Sequence, residues 1–200
     1  MKIGCALLAA GAGRRFGDGK LLYEVDGVPM ISRALSLYAP LGFSARVCVT
    51  REEALRIRHL AKEGGFAVAV NPDPERGVGT SVSIATEVLL AKEPALDGIL
   101  YAVSDQPYLA PESARRLMEA FRASPERIAS LGFDGIRGNP AIFPKDLFGE
   151  LMGLTEDIGG GAVIRRHPER LLLIEAGSAR ELQDIDMRET SQTAGKEVTT

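Results

Sequence analysis

The sequence predicts a single α/β domain in which a mostly parallel sheet carries helices on both faces. Three observations predict it. Apolar runs alternate with helix-period stretches from residue 3 to residue 175, the pattern of repeated strand–helix units. The first apolar run opens directly into a small-residue, glycine-rich loop, as the strand-to-helix turn of a nucleotide-binding sheet does. The length of 200 residues suits one such domain with a full core, and no low-complexity linker or internal repeat divides it.

Taken in order, Ile3–Ala9 reads as a buried strand and is followed by the loop Leu8 to Gly17, with Lys20 three residues on. Met30–Ala39 has the apolar spacing of a helix, Ala45–Thr50 of a strand, and Glu52–Gly64 of a helix started by Thr50 and stopped at Gly64-Gly65. Phe66–Val70 is the next strand. The loop from Asn71 to Ser81 then leads into a helix over Ser81–Lys92, for which Thr80 and Ser81 are good N-caps. Gly98–Val103 is a strand that Pro107 prevents from continuing, and Ala110-Pro111 is the expected start of a helix over Pro111–Ala123. Ile128–Phe133 is a strand, Gly135–Phe143 a turn that re-enters an apolar strand, and Lys145–Met152 a helix. Glu156–Gly161 reads as a flexible acidic and glycine-rich loop, and Leu171–Glu175 as the last strand. The domain is predicted to span 1–188, with 189–200 a polar, disordered tail.

Composition narrows the class. An apolar fraction of 45% and a mean hydropathy of +0.01 describe a soluble globular chain. No apolar run approaches the ~20 residues needed to span a membrane. Cys5 lies where a lipoprotein cleavage site would place one, but no apolar segment precedes it, so a cytoplasmic location is the default. Cys5 and Cys48 sit in apolar strands without metal-ligand spacing and read as reduced, buried core residues. The net charge of −3 argues against a general nucleic-acid binder. Positive charge is instead local, with Arg14, Arg15 and Lys20 falling within seven residues.

That local charge surrounds a loop whose glycines permit close approach of a ligand to bare backbone N–H groups, a combination suited to a nucleoside triphosphate. The loop is neither a P-loop, since Leu21 follows Lys20 where a hydroxyl is needed, nor a dinucleotide fingerprint, since Gly11, Gly13 and Gly17 miss its spacing. A second constellation is Ser104-Asp105-Gln106-Pro107 at the end of the Gly98–Val103 strand. A carboxylate there, beside a phosphate loop, is well placed for Mg²⁺, which favours one or two carboxylates plus phosphate oxygens and water. The bland alternative is an Asx-turn at Asp105 or a cap on the following helix. The loop from Asn71 to Ser81 is a candidate nucleotide-facing segment through Gly79 and Ser81. Arg137–Phe143 and Glu156–Gly161 are either connections or the lining of an acceptor site. The two histidines, His59 and His167, lie away from all these motifs, so a His-based triad would be hard to build.

These segments, in this order, resemble the molybdenum-cofactor nucleotidyltransferases of the nucleotide-diphospho-sugar transferase superfamily, above all the cytidylyltransferase-like branch. The matching stretches are Leu8–Lys20, Asn71-Pro72, Gly77–Ser81, Ser104–Pro107, Arg137–Phe143 and Asp184-Ile185-Asp186. The resemblance implies a three-layer α/β/α fold with a mixed, mostly parallel, Rossmann-like sheet. It implies that the backbone of Leu8, Ala9, Ala10, Gly11 and Gly13 contacts the nucleotide, together with Asn71, Gly79 and Ser81. It further implies that Arg15 and Lys20 neutralise the triphosphate, that Asp105 binds Mg²⁺, and that Arg137, Asn139 and Asp157 face the acceptor. The activity implied is transfer of CMP from CTP to the phosphate of molybdopterin-type cofactor, with pyrophosphate released. Close alternatives are guanylyl transfer to the same acceptor and nucleotidyl transfer to a sugar or alcohol phosphate; the Ala9-Ala10 pair leans towards the cytidylyl branch. A reading from a different class is an accessory protein that binds the cofactor and loads a molybdenum hydroxylase without chemistry, which would not need Asp105. Three departures stand out: Glu156 replaces the Gly usual before Asp157, Asp186 is followed by Met187-Arg188-Glu189 rather than the usual Thr-Pro-Glu, and Leu21-Leu22-Tyr23-Glu24-Val25 departs from the usual Lys-x-Leu-Leu-Pro-Leu run that bears on the choice of nucleotide.

Overall fold

A computed structural model describes residues 1–11 and 19–185. Its centre is a seven-stranded sheet in the order β5-β4-β1-β6-β8-β7-β9. The strands are β1 (Ile3–Ala9), β4 (Ala45–Thr50), β5 (Ala67–Val70), β6 (Gly98–Val103), β7 (Ile128–Phe133), β8 (Ile136–Pro144) and β9 (Leu171–Glu175). β1 pairs in parallel with both β4 and β6, while β8 runs antiparallel to β6 and β7. A separate ribbon joins β2 (Glu24–Val25) to β3 (Val28–Pro29).

Alternate residues of the buried strands feed two cores. Cys5, Leu7, Leu100 and Ala102 point to the layer of α2 (Met30–Tyr38), α3 (Leu55–Glu63) and α5 (Pro111–Ala123), meeting Ile31, Leu35, Ile57, Leu117 and Phe121. Ala6, Val47, Val49, Ile99 and Tyr101 point the other way, to α4 (Val78–Lys92), α6 (Phe148–Met152) and α7 (Gly160–Arg166). The result is the expected three layers. Burial of Cys5 and Cys48 on the first face pushes both thiols up, Cys48 to about 12, so neither is a nucleophile at neutral pH.

Several boundaries differ from expectation. α4 begins at Val78, one turn before Ser81, so Thr80 and Ser81 lie inside the helix and are not its caps; Gly77 (φ +110°) holds that position. Thr50 stays buried in β4, and α3 starts only at Leu55. The expected helix over Lys145–Met152 is a 3₁₀ turn, Lys145–Leu147, followed by α6. The glycines expected in a flexible loop, Gly160 and Gly161, open α7, where tertiary contact replaces propensity: a Cβ on Gly160 would stand 2.9 Å from the Phe143 ring. β8 is longer than the apolar segment anticipated. It follows a two-residue turn in which Asp134 (φ +51°) and Gly135 (φ +75°) both take left-handed conformations, the hairpin geometry that such a pair supports. The predicted tail, 189–200, lies outside the described residues. Among those described, no helix is long and apolar enough to cross a membrane.

Candidate active site

The order of the sheet decides where a ligand belongs. The chain moves outward from β1 to β4 and β5, then returns to place β6 on the other side of β1. At such a reversal the loops leaving the two neighbouring strands diverge and open a site at the carboxyl edge. Ala10-Gly11 leaves β1 there, and Ser104-Asp105 leaves β6. Ser104 ties the two together by donating its Oγ hydrogen to the Leu8 carbonyl at 2.8 Å.

Lys20 is carried back to this edge by α1 (Gly19–Leu22), whose Leu21 and Leu22 pack against the α2-side core. Its Nζ lies 2.7 Å from Asp105 Oδ2, with 22% and 24% of the two side chains exposed. The pair is thus partly shielded from water but open to a ligand. Asp105 does not cap α5; the N–H of Ala110 is met instead by Glu181 Oε2 at 3.1 Å. The Asp105 carbonyl accepts from the Ile185 N–H at 3.1 Å, and Gln106 Nε2 donates to the Leu182 carbonyl at 3.0 Å. The late segment thereby straps the Asp105 loop in place.

Leu8 and Ala9 belong to β1, Ala10 follows it, and Gly11 is exposed at its tip. The Ala10 carbonyl accepts from Arg51 Nε at 3.2 Å. Arg51 also pairs with Glu75 at 3.0 Å, joining the loop after β1 to the 3₁₀ turn Pro74–Arg76. Asn71 is 1% exposed; its Nδ2 donates to Thr80 Oγ1 (2.8 Å) and Ser81 Oγ (2.9 Å), and its Oδ1 accepts from the Asp73 N–H. Asn71 and Ser81 therefore brace the loop on α4. Gly79 faces another loop: its N–H donates to the Glu156 carbonyl at 3.0 Å. A Cβ there would stand 2.8–2.9 Å from the carbonyl oxygens of Thr155, Glu156 and Ile158, so this close approach requires glycine.

That approach sets Asp157, which is exposed, against Gly77. Arg137 and Asn139 lie on the first half of β8. Ala141 stands opposite Tyr101, so the antiparallel register carries the residues before it to the carboxyl edge where β6 gives way to Ser104-Asp105. Partial burial, and secondarily Arg165, hold the Arg137 pKa below its ordinary value. His59 is exposed beside Glu63, and His167 Nε2 lies 2.6 Å from Glu150 Oε1 at the far end of α7. Gly13, Arg15 and Arg14 lie outside the described residues, as does Asp186.

Among the described residues no group of three or more His, Cys, Asp or Glu side chains is arranged to hold a metal ion. A single shielded carboxylate, Asp105, does fit Mg²⁺ whose other ligands are phosphate oxygens and water, the donor set this ion prefers. The described residues do not form an all-protein metal cage.

Residues 5–171 match the MobA-like NTP transferase domain. The chain belongs to that family. It is 28% identical to the purine catabolism protein PucB of Bacillus subtilis, over 91% of this chain and 90% of the relative, and 28% identical to the nicotine blue oxidoreductase of Paenarthrobacter nicotinovorans, over 90% of each. It is 30% identical to the molybdenum cofactor guanylyltransferase of Rhodobacter capsulatus, over 67% of this chain and 65% of the relative. Among solved structures, Rv0371c from Mycobacterium tuberculosis superposes with a TM-score of 0.78 at 27% identity, covering 93% of this chain and 94% of that one. The same protein has been solved in complex with manganese, matched at a TM-score of 0.71 and 26% identity over 88% of this chain and 90% of that one. Two basic residues that the sequence did not single out stand near these elements, Arg51 against the Ala10 carbonyl and Arg165 beside Gly161. The first had a signal, a basic residue immediately after a strand that ends at the site edge.

Proposed function

We propose that this protein joins CMP, taken from CTP, to the terminal phosphate of a molybdopterin-type molybdenum cofactor and releases pyrophosphate. The observation that carries the reading is the Lys20–Asp105 pair at the β1/β6 reversal. A cation suited to a triphosphate and a carboxylate suited to a divalent ion stand together there, which supports the reading. The manganese complex of the structural relative supports a divalent ion. The guanylyltransferase relative supports the cofactor as acceptor, and the Ala9-Ala10 pair supports CTP.

In this reading an oxygen of the acceptor phosphate attacks the α-phosphorus, a new P–O bond forms, and the bond to the β-phosphate oxygen breaks. The attacking oxygen is already ionised near neutral pH, so the absence of a histidine from the described part of the site costs nothing. Catalysis rests on alignment and on charge cancellation as pyrophosphate departs. Lys20 moves from Asp105 to the phosphates, joined by Arg15. Asp105 would hold Mg²⁺, which would supply positive charge to offset that of the leaving pyrophosphate. Arg137, Asn139 and Asp157 face the acceptor, and a molybdenum hydroxylase receives the product in the cytoplasm.

The test is pyrophosphate release with Mg²⁺ and CTP, GTP, ATP or UTP, each with and without molybdopterin-bound molybdenum. Release with CTP and cofactor alone is the expected result. Release with GTP moves the protein to guanylyl transfer, which the R. capsulatus relative favours. Binding of the dinucleotide product without pyrophosphate release in any combination makes it an accessory protein.

A further inference from the structure

We propose that Arg137 and Arg165 together form the seat of a phosphomonoester on the acceptor substrate. The inference rests on the nucleotidyltransferase reading above and adds to it a residue, Arg165, and a ligand chemistry. Its basis is a gathering of like charges. Both guanidinium groups come up against Gly161, with Arg137 Nη2 3.0 Å and Arg165 Nη1 3.7 Å from where a Cβ on that glycine would stand. They reach it from different elements, β8 and α7.

Other arginines nearby are satisfied. Arg166, next in the chain, pairs with Glu150 at 2.7 Å, and Arg170 makes two bonds to Asp146. Arg127 donates to the carbonyls of Arg170 and Leu171. Arg137 and Arg165 have neither a carboxylate nor a carbonyl partner among the described residues, and the charge that Arg137 feels most is that of Arg165. Two unpaired guanidinium groups held side by side repel each other, and an anion bound by both relieves that repulsion. Two adjoining forked donors match the several oxygens of a phosphate dianion better than a single carboxylate.

Location makes the anion part of the second substrate. β8 carries Arg137 to the same sheet edge as Asp105, but on the face covered by α7, whereas Lys20 arrives with α1 from the face covered by α2. A nucleotidyl transfer to a phosphate brings two anions to one site. Lys20 serves the triphosphate, and the arginine pair holds the phosphate that attacks it.

The experiment is an amide-resolved NMR titration of the intact protein with inorganic phosphate at constant ionic strength, repeated for Arg165→Gln, Arg137→Gln and Arg165→Lys. The Gly161 amide is expected to move saturably. Either glutamine variant weakens that response about tenfold, the worth of one charge-assisted contact, and Arg165→Lys weakens it less. Thermal melts of the variants exclude unfolding, since both side chains are largely exposed. An unchanged Gly161 response in Arg165→Gln overturns the proposal. In the transfer assay Arg165→Gln raises the acceptor KM about tenfold and leaves the nucleotide KM as it was. A rise in the nucleotide KM instead would assign the pair to the triphosphate and overturn it. If no nucleotide releases pyrophosphate, the transferase reading fails, while the Gly161 titration still decides whether the pair binds phosphate.

Discussion

On the side of the site built from β1, α1 and β6, the charged groups already have partners, Lys20 with Asp105 and Arg51 with Glu75 and the Ala10 carbonyl. On the side built from β8 and α7, Arg137 and Arg165 lie side by side against Gly161 with no partner among the described residues. Both sides serve anions in the proposed reaction. The difference teaches how each is prepared. A paired cation is held in place by its own counter-ion and must exchange it when ligand arrives. An unpaired one needs no exchange, but its repulsion must be borne by a rigid frame, here a sheet strand and a helix packed through Phe143 and Gly160.

The comparison breaks most severely at Asp105. Asp105→Ala should lower pyrophosphate release by at least 10²–10³-fold, the cost of losing a group that organises charge in the transition state. Its melting temperature should hardly change, because the side chain is partly exposed and buries little. Lys20→Ala should be slower by a similar or smaller factor, read in the same assay. Retention of near-normal turnover by Asp105→Ala would remove the basis for placing the chemistry at this edge.

Gly79→Ala tests the joint between the two sides. Backbone carbonyls of residues 155, 156 and 158 would have to retreat, at a cost of about 1–3 kcal/mol in a denaturant or thermal melt. The acceptor KM should rise more than that of the nucleotide, since the displaced loop carries Asp157. Asn71→Ala acts on the nucleotide side and should cost about 1–3 kcal/mol, because it strips donors from the Thr80 and Ser81 hydroxyls in a buried position. The nucleotide KM should rise in this variant and the acceptor KM should not.

The smallest effect concerns Arg166, the paired neighbour of Arg165. Hydrogen bonding from His167, and then from Arg166, holds the Glu150 carboxyl below its ordinary 4.5. A depressed carboxylate stabilises the fold above that value and loses its contribution as pH falls through the folded pKa. The stability difference between the native protein and Glu150→Gln should therefore be fully present above pH 4.5 and fade as pH falls further, through the lower folded pKa. The pair is largely solvated, so the difference should stay within about 0.5 kcal/mol in paired melts across that range.

Much of the frame was legible in the sequence because it is local. Ile3–Ala9, Ala45–Thr50, Gly98–Val103, Ile128–Phe133 and Leu171–Glu175 are apolar runs with the bounds that the strands take. The extent of β8 was not legible, since Gly138 and Pro140 are poor central-strand residues. The structure accommodates them at an interruption. The ladder to β6 stops at Ala141, and the ladder to β7 shifts register between Ser130 and Gly132, so no bond to the missing Pro140 N–H is called for. The Asp134-Gly135 pair carried a hairpin signal that would have shown the strand turning back.

The sequence by itself determined the alternation of elements, the glycine-rich loop with its local positive charge, and a carboxylate at the end of a strand. Those are properties of neighbouring residues, and periodicity and turn chemistry act over a few positions. The tertiary structure decided which of these meet. Lys20 reaches Asp105 across 85 residues because β6 docks beside β1, and Arg137 reaches Arg165 because a reversed β8 lies under α7. Strand order and strand direction are set by how whole faces bury one another, and no short stretch of sequence encodes that.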